Sequence, residues 1–131
     1  MIILDTHAWI WWLNDPKKLS KKARKAVNDA VKNNNIGISS ISAWELAFLH
    51  SRKRLILSIG LDEWISTSEK FPFVSFIPVD NRIAVKSVSL PDPLHNDPAD
   101  RIIISTAITL DAALVTKDKK ILNYPYIKTI W

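Results

Sequence analysis

Apolar positions along the chain fall into two alternating rhythms. Short runs rich in Ile, Val and Leu stand apart at "MIIL" (1–4), "IGIS" (36–39), "VSFIPV" (74–79) and "ALVT" (113–116), with "YIKTI" (126–130) as a fifth candidate. Each has the length of a strand. Between them the period lengthens. In "LSKKARKAVNDAVKN" the residues Leu19, Ala23, Ala26, Val27, Ala30 and Val31 share one helical stripe, with the lysines opposite. Further helical stretches lie at about 41–52, 61–69, 81–89 and 98–111, and short helices are signalled at "THAW" and "KKIL". Strands that are largely apolar and alternate with helices predict an α/β domain. Its central parallel sheet would have four to five strands, joined by right-handed crossovers and flanked by helices on both faces. The proline-rich "LPDPLHNDP" reads as a loop between elements, so residues 1–131 are taken as one domain.

Composition narrows the chemistry more than the fold. The absence of cysteine excludes disulfides, zinc ribbons and thiol nucleophiles. Two glycines, Gly37 and Gly60, cannot build a phosphate loop or a dinucleotide fingerprint, which removes the usual nucleotide cofactors. No apolar run approaches the roughly 18 residues of a membrane helix, and "MIILD" lacks the basic start of a leader, so a soluble cytoplasmic protein without a membrane partner is expected. Lys and Arg exceed Asp and Glu by 18 to 13, a net +5 that suits either a polyanionic partner or solubility alone.

The candidate chemistry is acidic. In an open parallel sheet, sites form beyond the carboxyl ends of the strands. Asp5 directly follows the first strand, and Glu45 lies in "SISAWEL" just inside the helix after the second. Asp97 and Asp100 open the helix of "HNDPADRIIISTA", and Asp118 follows the fourth strand in "LVTKD". Singly, each has a bland explanation. Asp5, Asp97 and Asp118 suit helix N-caps, and Glu45 stands three residues after Ser42, the spacing of a capping box. Jointly the bland readings weaken, because carboxylates converging in one cleft repel each other unless a cation neutralises them. Oxygen donors without Cys select a hard ion such as Mg²⁺ or Mn²⁺. Such an ion activates water and offsets the charge on a phosphodiester under attack, and the surplus of lysine draws in the polyanion.

The order "LDTHAWIWWL", "SISAWEL", "HNDPADRIIISTA", "LVTKD" resembles the PIN domain, and within it the VapC toxins of VapBC toxin–antitoxin modules, over nearly the whole chain. The resemblance implies a small α/β PIN fold and an endoribonuclease dependent on Mg²⁺ or Mn²⁺ that cuts RNA and so inhibits translation and growth. It further implies a homodimer and a cognate VapB-type antitoxin that blocks the active site. The acidic quartet of the family falls on Asp5, Glu45, Asp100 and Asp118, as catalytic and metal-holding residues. Thr116, Asp97 and Thr6 fall in supporting places, with Asp97 as the helix cap.

Other residues carry weaker signals. Trp9, Trp12 and Leu13 share a helical face and are expected in the core, which leaves Trp11 for another surface. Trp44, Phe48 and the stretch "LAFLHSRKRLIL" are expected to form a groove with helix 61–69, for an antitoxin helix or a dimer partner. His7, His50 and His95 are read as structural or solvent-facing. The basic run from Lys17 to Lys25 is a solvated helix face or an RNA backbone contact, and Arg101 is a candidate for pairing with an acid or a substrate phosphate. Two rival classes remain. One is a nucleic-acid-binding module without catalysis. The other is a receiver-type domain with Asp80 in "FIPVDN" as phosphoacceptor, although Asp80 reads better as a helix cap.

Overall fold

The computed structural model describes residues 1–131. Five strands and seven α-helices alternate along it: β1 (Ile2–Leu4), α1 (Thr6–Asn14), α2 (Lys21–Lys32), β2 (Ile36–Ser39), α3 (Ser40–Ser51), α4 (Leu61–Glu69), β3 (Val74–Ile77), α5 (Asn81–Val88), α6 (Pro98–Thr109), β4 (Ala113–Val115), α7 (Lys119–Leu122) and β5 (Thr129–Ile130). A 3₁₀ turn, Pro16–Lys18, joins α1 to α2. All strand pairings are parallel and the order is β3-β2-β1-β4-β5, so the fifth candidate strand is real and closes one edge. No helix is long and apolar enough to cross a membrane.

The sheet is covered on both faces because consecutive residues of its central strand point opposite ways. Leu4 enters a core built from Ala8, Trp9 and Ile10 of α1, Ala23, Val27 and Ala30 of α2, Leu46 of α3 and Trp64 of α4. Ile3 enters the other, built on Ile103, Ile104 and Ala107 of α6 with Leu114 and Ile121. Each fully buried Leu or Ile of this kind stabilises the fold by about 1.5–3 kcal/mol. Gly37, paired with Ile3 in register, has no room for more, since a Cβ there would lie 2.6 Å from Ile3 Cδ1.

Aromatic packing fixes α1 onto the first face. Trp9 is fully buried, its ring 4.9 Å from that of Trp64 and 5.5 Å from that of Phe76, and its indole N–H donates to Ser68. Trp12 and Leu13 are half-buried against the same core, with Trp12 beside Phe71 and Phe73. The lysine face of α2 is exposed as its period predicts, and Lys25 pairs with Asp29 one turn on.

Strand order places the functional edge. The chain moves from β1 to β2 to β3 on one side, then returns across to β4 on the other. Crevices open at such a reversal, beyond the carboxyl ends of the two strands that flank it.

Candidate active site

Asp5 sits at that reversal. Its backbone N–H donates to Val115 O at 3.1 Å, tying the ends of β1 and β4 together, and its side chain caps α1 by accepting from Ala8 N at 2.8 Å. The capping role expected of an acid here is therefore real, but one carboxylate oxygen suffices for it. The residue is only 8% exposed, and the Thr116 hydroxyl hydrogen-bonds its carboxylate.

The neighbouring acids arrive from three other elements. Glu45 lies six residues into α3, whose N-cap is Ser39, accepting from Ile41 N. A capping box from Ser42 to Glu45 is thus not formed, and the Glu45 side chain instead hydrogen-bonds the Thr6 hydroxyl, which also meets Ser42 Oγ at 3.0 Å. Asp97 caps α6 through Asp100 N at 3.0 Å, with Pro98 in the first turn as its sequence signals. Asp118 caps α7 through Lys120 N at 2.8 Å, and its own N–H donates to Thr116 Oγ1 at 3.1 Å. Asp5, Thr6, Glu45, Asp97, Asp100 and Asp118 all line one open cleft of about 450 Å³. Thr116 lies fully buried behind it.

Electrostatics record the crowding. Burial pushes Asp5 from 3.8 up to about 6, against the opposing hydrogen bonds of Thr116 and Ala8, and the Asp100 charge pushes the same way. Glu45 is raised by burial first and then by the charges of Asp100 and Asp97, with the Thr6 hydroxyl opposing. Asp100 is raised by burial and by Asp97 and Asp118, while its hydrogen bond to His95 holds it down. Asp5, Glu45 and Asp100 are thus less comfortable ionised than they would be in water, and a bound cation is the simplest relief.

Three residues in and around this cleft escaped the sequence reading. His95 Nε2 lies 2.7 Å from Asp100 Oδ2, and its Nδ1 is buried without a partner. With Asp100 and Asp118 it brings one ligand atom each to within 4.8 Å of one another. Of the two roles expected for His95, solvent-facing is set aside and structural remains: it sits half-buried against an acid of the cleft. Its spacing to Asp100 follows no helical or strand period, because a loop broken by prolines sets it, so no pattern flagged it. His7 and Lys117 line the cleft itself, and the remaining face of α1 presents Trp11 as its one apolar wall.

Other expectations are redirected. Arg101 pairs with neither acid nor open cleft: its Nε donates to Ser87 O at 2.9 Å, and its terminal nitrogens donate to the carbonyls of Leu94, His95 and Val88. The guanidinium is consumed in fastening the loop after α5. Asp80 caps α5 through Ile83 N at 2.9 Å, beyond edge strand β3, and the strand order differs from the 2-1-3-4-5 of a receiver-type sheet. The apolar surface near α3 also takes another form. Trp44 and Phe48 stack with centroids 5.5 Å apart and stay exposed, with Arg52 over the Phe48 ring. A groove near the end of α3 is lined by α1 and by Leu49, Arg54, Leu55 and Ile56; neither Trp44, Phe48 nor helix 61–69 lines it, and Trp64 of that helix lies in the core.

Residues 2–125 match the family described as the PIN domain. The chain is 33% identical to Ribonuclease VapC22 of Mycobacterium tuberculosis across 99% of its own length and 98% of that protein. Its fold is similar to VapBC2 of Rickettsia felis, solved bound to a DNA fragment from its promoter, with a TM-score of 0.72 at 21% identity over 98% of this chain and 97% of that one. It is also similar to FitAcB of Neisseria gonorrhoeae, with a TM-score of 0.69 at 17% identity over 98% and 96% of the two chains. DNA-bound VapBC of Salmonella typhimurium gives 0.66 at 18% identity over 98% and 95%.

Proposed function

The chain belongs to the PIN domain family, and on that premise we propose that it is a divalent-metal-dependent endoribonuclease, the VapC-type toxin of a toxin–antitoxin pair. The observation that carries this reading is the gathering of Asp5, Glu45, Asp100 and Asp118 from four separate stretches of chain into one cleft at the sheet's reversal point. Residues 1–131 act as one catalytic domain, and RNA in the cytoplasm is its substrate. Cleavage of RNA needed for translation then arrests growth.

The donor set fits a hard divalent cation. Asp5, Glu45, Asp100 and Asp118 would hold Mg²⁺ or Mn²⁺, and the raised affinity of the buried acids for protons is what an unneutralised cation site of this chemistry displays. When bound, the ion supplies an activated water and charge stabilisation for the phosphodiester under attack. The chain's own part is positioning. Thr116 and Ala8 fix the Asp5 carboxylate, Thr6 fixes Glu45, and His95 fixes Asp100, so the acids meet the substrate already oriented. Asp97 holds the first turn of α6, which carries Asp100, and Lys117 on the rim offsets the repulsion between the acids and a phosphate.

Partners follow from the same reading. A VapB-type antitoxin is supported by relatives solved as VapBC assemblies, and a homodimer by the exposed Trp44 and Phe48 face, which has no covering element within the chain.

The test is incubation of the purified protein with varied RNAs under Mg²⁺, Mn²⁺ or excess chelator, beside Asp5→Ala and Asp100→Asn. Chelation or either substitution is expected to slow cleavage by at least about a hundredfold, the usual scale for loss of a metal-positioning group. Cleavage indifferent to all three would overturn the mechanism. Binding without cleavage of any RNA would favour the non-catalytic module.

A further inference from the structure

The loop that carries His95 is fastened at both ends. The Tyr124 hydroxyl donates to Pro91 O at 2.8 Å, and Arg101 donates to Leu94 O at 3.4 Å and to His95 O at 3.1 Å. The imidazole is therefore presented from a held backbone, with its side chain only 20% exposed. Its Nε2 meets Asp100 Oδ2 at 2.7 Å, and its Nδ1 is buried without a partner. A histidine kept for packing alone satisfies both nitrogens, and a buried one left bare calls for another reason, of which a bound ion is one. Nδ1 is bare whichever nitrogen carries the ring proton. Moving that proton from Nε2 to Nδ1, as an ion at Nε2 requires, thus adds no further unpaired group.

The spacing around Nε2 is that of neighbouring ligands. Two donors 2.7 Å apart, each about 2.1 Å from an ion, subtend about 80° at it, near the right angle of octahedral coordination. Asp118 extends the set, since one ligand atom from each of His95, Asp100 and Asp118 lies within 4.8 Å of the others. Opposite ligands of such an ion stand about 4.2 Å apart. The exposed Asp118 side chain spends only Oδ1 on its helix cap and has the freedom to close that difference.

A nitrogen donor changes what the cleft selects. Carboxylates alone suit Mg²⁺, whereas imidazole suits first-row transition ions, whose affinity for such a site rises from Mn²⁺ through Co²⁺. We infer that His95 Nε2 is a ligand of the cleft's cation, beside Asp100 and Asp118, and that this nitrogen makes the site favour first-row transition ions over Mg²⁺. The inference rests on the cation reading of the acidic quartet and adds to it a fifth donor and a metal preference.

The test loads the untagged protein with Mn²⁺ and looks by pulsed electron paramagnetic resonance for nitrogen bound to the ion. The coupling of a directly bound imidazole is expected in the unsubstituted protein. It should persist in His7→Gln, which removes the other ring lining the cleft, and vanish in His95→Gln. Calorimetric titration with Co²⁺ and with Mg²⁺ separates a ligand from a group that only positions Asp100. His95→Gln keeps a side-chain N–H for Asp100, so Co²⁺ affinity should fall on the order of tenfold and Mg²⁺ affinity by less than about threefold. An equal loss for both ions would leave His95 as a positioning residue and overturn the inference. Mn²⁺ bound without nitrogen coupling in the unsubstituted protein, or a coupling that disappears in His7→Gln instead, overturns it as well. If Mg²⁺ binds and supports cleavage while Mn²⁺ shows no bound nitrogen, only the place of His95 falls. If no divalent ion binds the unsubstituted protein, the cation reading falls first and takes the ligand with it.

Discussion

Asp5 caps a helix and, on the proposed reading, holds a cation, two tasks with opposing costs. As a cap it stabilises α1, yet ionised it is an 8% exposed charge at the end of the central strand. Its rise from 3.8 to about 6 means that the carboxylate, still mainly ionised at neutral pH, costs the folded state roughly 3 kcal/mol relative to the unfolded chain. Asn caps a helix as well as Asp does and carries no charge. Asp5→Asn is therefore expected to raise the metal-free protein's stability at pH 7 by about 1–3 kcal/mol in urea denaturation, while abolishing cleavage. A destabilised Asp5→Asn would show that the native carboxylate is not strained. Sequence alone could nominate Asp5, because an acid ending a buried strand is conspicuous. It could not nominate His95, whose contact with Asp100 depends on the path of a proline-broken loop.

At the scale of elements, helices were legible and their functional consequences less so. The stripe of α2 and the Asp97, Pro98 start of α6 were written in period and cap chemistry. The groove beside α3 was not, because which helix forms its far wall depends on how α1 and α4 divide the core between Trp9, Trp11 and Trp64. Arg101 illustrates the same limit. Beside Asp100 in sequence, it looks like a partner for charge; in the fold it gathers four carbonyls at the end of α5 and in the loop that carries His95. Charged hydrogen bonds of this kind contribute about 1.5–3 kcal/mol each, less here where they are partly solvated. Arg101→Leu is thus expected to lower urea stability by about 1–3 kcal/mol and leave the salt slope of RNA binding unchanged. Intact stability with a flatter slope would return Arg101 to the substrate surface.

For the whole molecule, the acids of the cleft set a pH dependence of unusual sign. Asp5, Glu45 and Asp100 all bind protons more tightly folded than unfolded. Between about pH 4 and about pH 6 the native state therefore holds more protons than the unfolded chain, and stability falls as pH rises through that window. Asp29 is shifted the other way, but it is fully exposed and paired only with its helix neighbour Lys25, so solvent screens it. Calorimetry in chelator should show the melting temperature decreasing from the acid side and levelling above about pH 7. Mn²⁺ or Mg²⁺ should restore the loss, with a gain that grows over the same window, because cations bind the ionised acids. A melting temperature that climbs with pH in chelator, or no gain from either ion at pH 7, would contradict the cation site.

The sequence by itself determined the α/β class, the parallel sheet and the placing of Asp5 and Asp118 after strands and of Glu45, Asp97 and Asp100 near helix starts, because period, caps and charge are local properties. It also excluded thiol chemistry by lacking cysteine, and its two glycines leave no glycine-rich phosphate loop or dinucleotide fingerprint. Only the tertiary structure decided the strand order, and hence that acids separated by up to 113 positions, from Asp5 to Asp118, share one cleft. It likewise decided that His95 joins them, that Arg101 does not, and that Trp11 stands between the acids and a basic groove. The physical reason is common to all of these: each depends on which apolar faces win the core, and that competition is settled by packing the whole chain at once.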